Sequence, residues 1–121
     1  WEDVFQENML AMGAPKLLAK IQAPFVKLYT LLKFGLKTSN IYPKKQIANL
    51  GERPALLMHS HDDSQVLYAN FERILERAPG HVETWTRAGD NHLMSMDFLY
   101  PENDPEYAQR VLEFLGRNFS L

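Results

Sequence analysis

Two polar clusters in this 121-residue chain hold its best candidates for chemistry, and each follows a segment that resembles a β-strand. The first cluster ends in Asp63 and comes after the apolar run 54–58. The second ends in His92 and comes after residues 82–86. A buried carboxylate beside an imidazole fixes the tautomer of that ring and stabilises its protonated form, as the acid and base of a nucleophilic triad do. Asp63 and His92 are therefore our candidate catalytic residues.

The elements that must position this pair are predicted by the apolar pattern. A short continuous apolar run such as 54–58 fits a strand buried on both faces, as in a parallel sheet. Helices are predicted between the strands, up to Pro79-Gly80, and after them, beginning at Asp104-Pro105 as N-cap and first residue. This order predicts an α/β fold with parallel strands at about 54–59 and 81–87. In such sheets, functional groups gather past the carboxyl ends of the strands.

The N-terminal segment is predicted to be helical, with a stop and restart between Gly13 and Pro15. Pro24 is expected to break or restart the helix, because it lacks an N–H and clashes with the preceding turn. Apolar residues after it keep helical spacing, and lysines lie between them. This pattern fits either a lipid-seeking or substrate-covering lid or, as we prefer, core-packing helices with a solvated lysine face.

The stretch Arg-Pro-Ala-Leu-Leu-Met-His-Ser-His-Asp-Asp-Ser-Gln-Val at 53–66 resembles the acid-bearing strand end of the α/β-hydrolase family, with Asp63 at the position of the acid. The segment Gly89-Asp-Asn-His92 is similar to the family's catalytic-histidine loop. The resemblance covers residues 43–119 and is greatest to esterase, lysophospholipase and aminopeptidase-like serine hydrolases. It implies a division into a cap-like segment, 1–42, and a C-terminal portion of the hydrolase fold, 43–121.

The departures from the family pattern concern the nucleophile. The family places it in G-x-S-x-G, upstream of the acid and the histidine. None of the five serines in this sequence has a glycine two positions before it and another two positions after it. The chain begins at Trp1 rather than Met. We therefore expect a fragment of a serine hydrolase for ester or amide substrates. It would carry two triad members and no cofactor, and it would be inactive alone, because the members of a triad act as a unit.

Two alternatives remain open. His59-x-His61-x-Asp63 also resembles the H-x-H-x-D-H zinc motif of the metallo-β-lactamase fold, although Ser64 replaces the last histidine. The chain could instead be a non-catalytic α/β module that binds a partner or self-associates. Two strands rarely hold together alone, and an open strand edge invites pairing. We therefore predict a homo-oligomer with strand 54–59 at or near the contact, or association with a missing N-terminal half.

The amino-acid composition excludes several classes of protein. The balance of 13 Lys+Arg against 15 Asp+Glu leaves a net charge of −2, without the basic surface of a nucleic-acid-binding protein. The absence of cysteine excludes a disulfide scaffold and a thiolate zinc site. No run reaches the roughly 18 apolar residues of a membrane span, so no stable membrane insertion is expected. No secretory signal opens the chain, and the default expectation is a cytoplasmic protein.

Overall fold

The computed structural model describes residues 2–35, 42–97 and 99–119. Over these ranges the chain is a mixed α/β structure with a small parallel sheet. Two short 3-10 turns, Ile47–Asn49 and Pro101–Asn103, accompany the regular elements. In chain order, the helices and strands are α1 (Glu2–Ala11), α2 (Lys16–Phe34), α3 (Pro43–Gln46), β1 (Leu56–Ser60), α4 (Tyr68–Leu75), β2 (Glu83–Arg87) and α5 (Pro105–Asn118).

The two strands pair in parallel, which confirms that part of the sequence prediction. The register aligns Leu56 with Glu83 and Ser60 with Arg87, so both strands end at the same level. Helix α4 makes the connection between them, as a parallel pair requires. Because the two carboxyl ends are level, the loops that leave β1 and β2 start side by side.

The buried apolar side chains of this part of the structure are few and come from several elements. Phe71 of α4, Trp85 of β2 and Phe114 of α5 are each less than 10% exposed. Strand β1 was predicted to be buried on both faces, but its residues 56–59 are only half-buried and Ser60 alone is buried. Within the described ranges β1 pairs with β2 alone, so its other edge has no strand beside it.

The N-terminal helices differ from the prediction in one respect. Pro24 was expected to break the helix, yet it lies inside α2, which is continuous over Lys16–Phe34. One lost backbone hydrogen bond is tolerated there, since the other turns of a 19-residue helix remain intact. The stop around Gly13, which has a positive φ of 83°, is confirmed.

Helix α2 packs on α1 but leaves most of its large apolar side chains exposed. Leu17 is 70% exposed, Phe25 65% and Leu32 77%. The preferred interpretation of this segment, a helix pair buried in a core, is therefore wrong for α2 in the described part of the chain. None of the helices described is both long and apolar enough to cross a membrane.

Candidate active site

The structure brings Asp63 and His92 into direct contact. The Nδ1 atom of His92 lies 2.7 Å from Oδ2 of Asp63, a hydrogen-bond distance between residues 29 apart in sequence. The Asp63 side chain is 1% exposed and the His92 side chain 36%. The carboxylate is thus buried behind an imidazole that reaches the surface. With the Nδ1 proton held by Asp63, the other ring nitrogen, Nε2, is the one able to exchange a proton with a reactant.

Asp63 is held by its own turn. Its Oδ1 accepts hydrogen bonds from the backbone N–H groups of Gln65, at 2.8 Å, and Val66, at 2.9 Å. Burial raises the pKa of Asp63, but bonds from the Val66 N–H, the His92 imidazole and the Gln65 N–H outweigh it and leave the pKa below its ordinary value. Asp63 is therefore ionised at neutral pH. It does not cap α4, whose N-cap residue is Leu67.

The two loops that carry the pair are tied to each other by reciprocal bonds. Oδ2 of Asp62 accepts from the Gly89 N–H at 3.0 Å, and Oδ1 of Asp90 accepts from the Ser64 N–H at 2.7 Å. The Asp62 N–H in turn donates to the Gly89 carbonyl. The first loop thus gains a carboxylate partner on the second, and the second gains one on the first. These bonds hold the backbone around Asp63 against the backbone that leads to His92.

A buried ion pair holds the far end of the loop that follows β2 and carries His92, here called the histidine loop. Arg87, the last residue of β2, forms two hydrogen bonds to Asp104, at 2.5 and 2.8 Å, and a third to the Met94 carbonyl at 2.9 Å. Asp104 also accepts from the backbone of Met96 and of Tyr107 at the start of α5. The Arg87 side chain is 11% exposed and that of Asp104 is 2% exposed. The end of β2, the histidine loop and the start of α5 are therefore joined through the Asp104 carboxylate.

The backbone next to His92 adopts an unusual conformation. Met94 has a φ of 65°, the left-handed region that side chains other than glycine rarely enter. Its side chain is 4% exposed, so it fills the core under the loop rather than lining an exposed acyl pocket. Its sulfur lies 3.4 Å from the hydroxyl of Ser60, which also donates to the Asn91 carbonyl. The end of β1 thus supports the histidine loop from below.

The histidines of the zinc alternative do not converge. Nδ1 of His59 lies 2.6 Å from the Ser60 carbonyl, whereas His61 has a 64% exposed side chain and lies beside Asp62. Within the described ranges, no three His or acidic side chains are grouped to hold a metal. His59 is thus bonded to the backbone near the end of β1, and His61 lies near the surface.

No serine of the described part hydrogen-bonds to His92. Ser60 is fully buried and bonded to the Asn91 carbonyl, while Ser95 is 7% exposed and donates to the Asp97 carbonyl. Ser64 is exposed, and its backbone N–H contacts Asp90. Ser39 and Ser120 lie outside the described residues. The described serines therefore offer no nucleophile for the pair.

The sequence did not indicate Arg87 as a residue of the site, nor any role for Asp104 other than capping the last helix. Asp104 was identified as the N-cap of the last helix, and its side chain does accept from the Tyr107 N–H at 3.3 Å. Its contact with Arg87 spans 17 residues, and no local spacing rule pairs the two. A charged residue at the end of a strand, before a candidate histidine loop, is the only signal that could have found Arg87.

Comparison with known proteins adds one relative. No family model matches the chain, and no solved structure matches it. The uncharacterized protein YqkD of Bacillus subtilis (strain 168) is 29% identical over 107 residues, which cover 84% of this chain. The match covers 34% of YqkD, so the chain spans about a third of the length of that relative.

Proposed function

We propose that Asp63 and His92 are the acid and the base of a serine hydrolase of the α/β-hydrolase type, acting on an ester or amide substrate. The observation that carries the proposal is the 2.7 Å contact between Nδ1 of His92 and the buried carboxylate of Asp63, past the ends of two parallel strands. In a triad, this contact keeps Nε2 unprotonated and ready to take the proton of the nucleophile. The 36% exposure of His92 leaves room for that partner.

The nucleophile, in this proposal, belongs to a part of the protein beyond these 121 residues. Two features support the need for further structure. Each strand has a neighbour on one side only within the described residues, and α2 leaves an apolar face exposed. The relative YqkD is about three times as long as the matched segment, since the match covers 34% of it. A strand and elbow that carry the serine would extend the sheet.

The test begins with the open reading frame that encodes this chain. We expect it to continue upstream through an apolar strand into a G-x-S-x-G elbow. The protein from that frame should hydrolyse activated esters. With the fold retained, Asp63→Asn should lower kcat by roughly 10⁴-fold and His92→Ala by roughly 10⁶-fold. Asp62→Asn is the matched control, because it removes a neighbouring carboxylate charge that does not touch His92, while the amide oxygen can still accept from the Gly89 N–H. Near-wild-type turnover in both site variants would refute the proposal.

The second candidate is a non-catalytic module that self-associates. The observation in its favour is the open edge that each strand keeps within the described residues, together with the exposed apolar face of α2, led by Leu17, Phe25 and Leu32. Open edges and large apolar patches favour association. Light scattering of the isolated chain at micromolar concentration should then give a dimer or larger species. A monomer at that concentration, or a reading frame that yields an active hydrolase, would reject this alternative.

A further inference from the structure

His59, near the end of β1, places a second imidazole against the carboxylate of Asp63. Its Nε2 lies 3.8 Å from Oδ2 of Asp63, the same oxygen that accepts from His92. The His59 side chain is 12% exposed. The rings of Tyr68 and Phe71 pack against it, with centroid distances of 5.8 and 5.3 Å. Packing against these two aromatic residues of α4 thus holds the His59 ring beside the Asp63 carboxylate.

The hydrogen bonds of this ring determine where its protons lie. Nδ1 of His59 is 2.6 Å from the Ser60 carbonyl oxygen, which can only accept, so Nδ1 carries a proton. Nε2 is buried and has no hydrogen-bond partner among the described residues. Without a proton, Nε2 would turn a lone pair toward the ionised oxygen of Asp63, which is repulsive. With a proton it carries a positive charge toward that oxygen, which is attractive.

We propose that His59 is a positioning residue that is protonated on both ring nitrogens and holds the Asp63 carboxylate with Oδ2 directed at His92. This positioning role rests on the proposed hydrolase function. The charged and titratable groups that face His59 are Asp63, Tyr68 from α4 and, beyond the carboxylate, His92. The Asp63 carboxylate then has two backbone N–H groups bonded to Oδ1 and the imidazoles of His92 and His59 near Oδ2.

The protonation of His59 can be read on this chain without any substrate. Long-range ¹H–¹⁵N spectra of the imidazole rings at neutral pH should show both His59 nitrogens protonated. In Asp63→Asn the charge that holds the proton is removed, and we expect Nε2 of His59 to lose it. A bare Nε2 in the wild-type chain would overturn the proposal, whether or not the protein is a hydrolase.

The positioning role is measured in the protein from the full reading frame. His59→Phe keeps a ring between Tyr68 and Phe71 but removes the charged edge, and it should lower kcat roughly tenfold with KM unchanged. His59→Gln returns an N–H donor and should recover part of that loss, while His61→Gln is the control at the neighbouring exposed imidazole. An unchanged kcat in His59→Phe, where Asp63→Asn is inactive, would overturn the positioning role alone. Full activity in Asp63→Asn would instead refute the hydrolase function.

Discussion

The substitution Asp63→Asn should reverse the tautomer of His92 while leaving the fold in place. The amide oxygen of the introduced side chain can keep the two bonds from the N–H groups of Gln65 and Val66, which are 2.8 and 2.9 Å long in the wild type. The amide nitrogen then occupies the place of Oδ2 and can only donate. Nδ1 of His92 must accept from it, so the proton of the neutral ring moves to Nε2. A ring with that proton in place cannot act as the base.

The cost to stability follows from the same geometry. A hydrogen bond to a charged group contributes about 1.5–3 kcal/mol and a neutral one about 0.5–1.5 kcal/mol, so each of the three bonds to the Asp63 carboxylate loses about 1 kcal/mol. Burying a neutral amide costs less than burying a carboxylate, so the net loss is about 1–3 kcal/mol. In a chain of 121 residues each kcal/mol of net loss lowers Tm by about 3–5 °C. The carboxylate is 1% exposed, so solvent does little to reduce the difference.

Two measurements on the isolated chain check this. Imidazole ¹H–¹⁵N spectra of the neutral ring, recorded at alkaline pH, should show the Nδ1–H form of His92 in the wild type and the Nε2–H form in Asp63→Asn. Circular dichroism should give the change in Tm. Asp62→Asn, which changes the adjacent aspartate, should leave the His92 tautomer as it is. The reasoning is refuted if the wild-type ring carries its proton on Nε2, or if the tautomer does not change in the variant.

Two further predictions concern the loops around the pair. The Arg87 guanidinium lowers the pKa of Asp104, so the stability from this carboxylate is present above its unfolded pKa and is lost as pH falls below about 4 toward the folded pKa. Asp104→Asn should therefore lower the urea midpoint at neutral pH and narrow the difference between the midpoints at about pH 7 and about pH 3. Gly89 has a φ of 102° with open space around it, so Gly89→Ala should cost about 1–2 kcal/mol from backbone strain. Gly116 lies inside α5 with equally open space, so Gly116→Ala should stabilise the fold by about 0.5–1 kcal/mol. The same urea titration measures both glycine variants, and stability changes of the same sign in both would contradict this reasoning.

The arrangement of Asp63 and His92 could be predicted because each half is encoded locally. The apolar run before Asp63 and the β-branched and aromatic run before His92 indicate strands, and the intervening helical pattern requires a parallel pair. Level strand ends then bring the two loops together, and the observed register does so. The sequence predicts the contact through topology, and the 2.7 Å distance confirms that contact without testing its chemistry.

Other features could not be predicted, for physical reasons that differ between them. The Arg87–Asp104 pair joins residues 17 apart through the path of an irregular loop, which no periodicity specifies. The left-handed φ of Met94 is imposed by the bonds around it, since nothing in methionine itself favours that conformation. The exposure of α2 was missed because an amphipathic pattern shows which face is apolar without showing whether anything covers it.

The two members of the pair are held in different ways, and this difference has a consequence for how the site can fail. Asp63 is fixed mainly by its own turn, through N–H groups two and three residues ahead. His92 depends on distant residues, because its loop is held by the ion pair between Arg87 and Asp104 at the start of α5. Local bonds form together with the turn, whereas the loop needs α5 docked in place. Loosening α5 should therefore displace the base while the acid keeps its position.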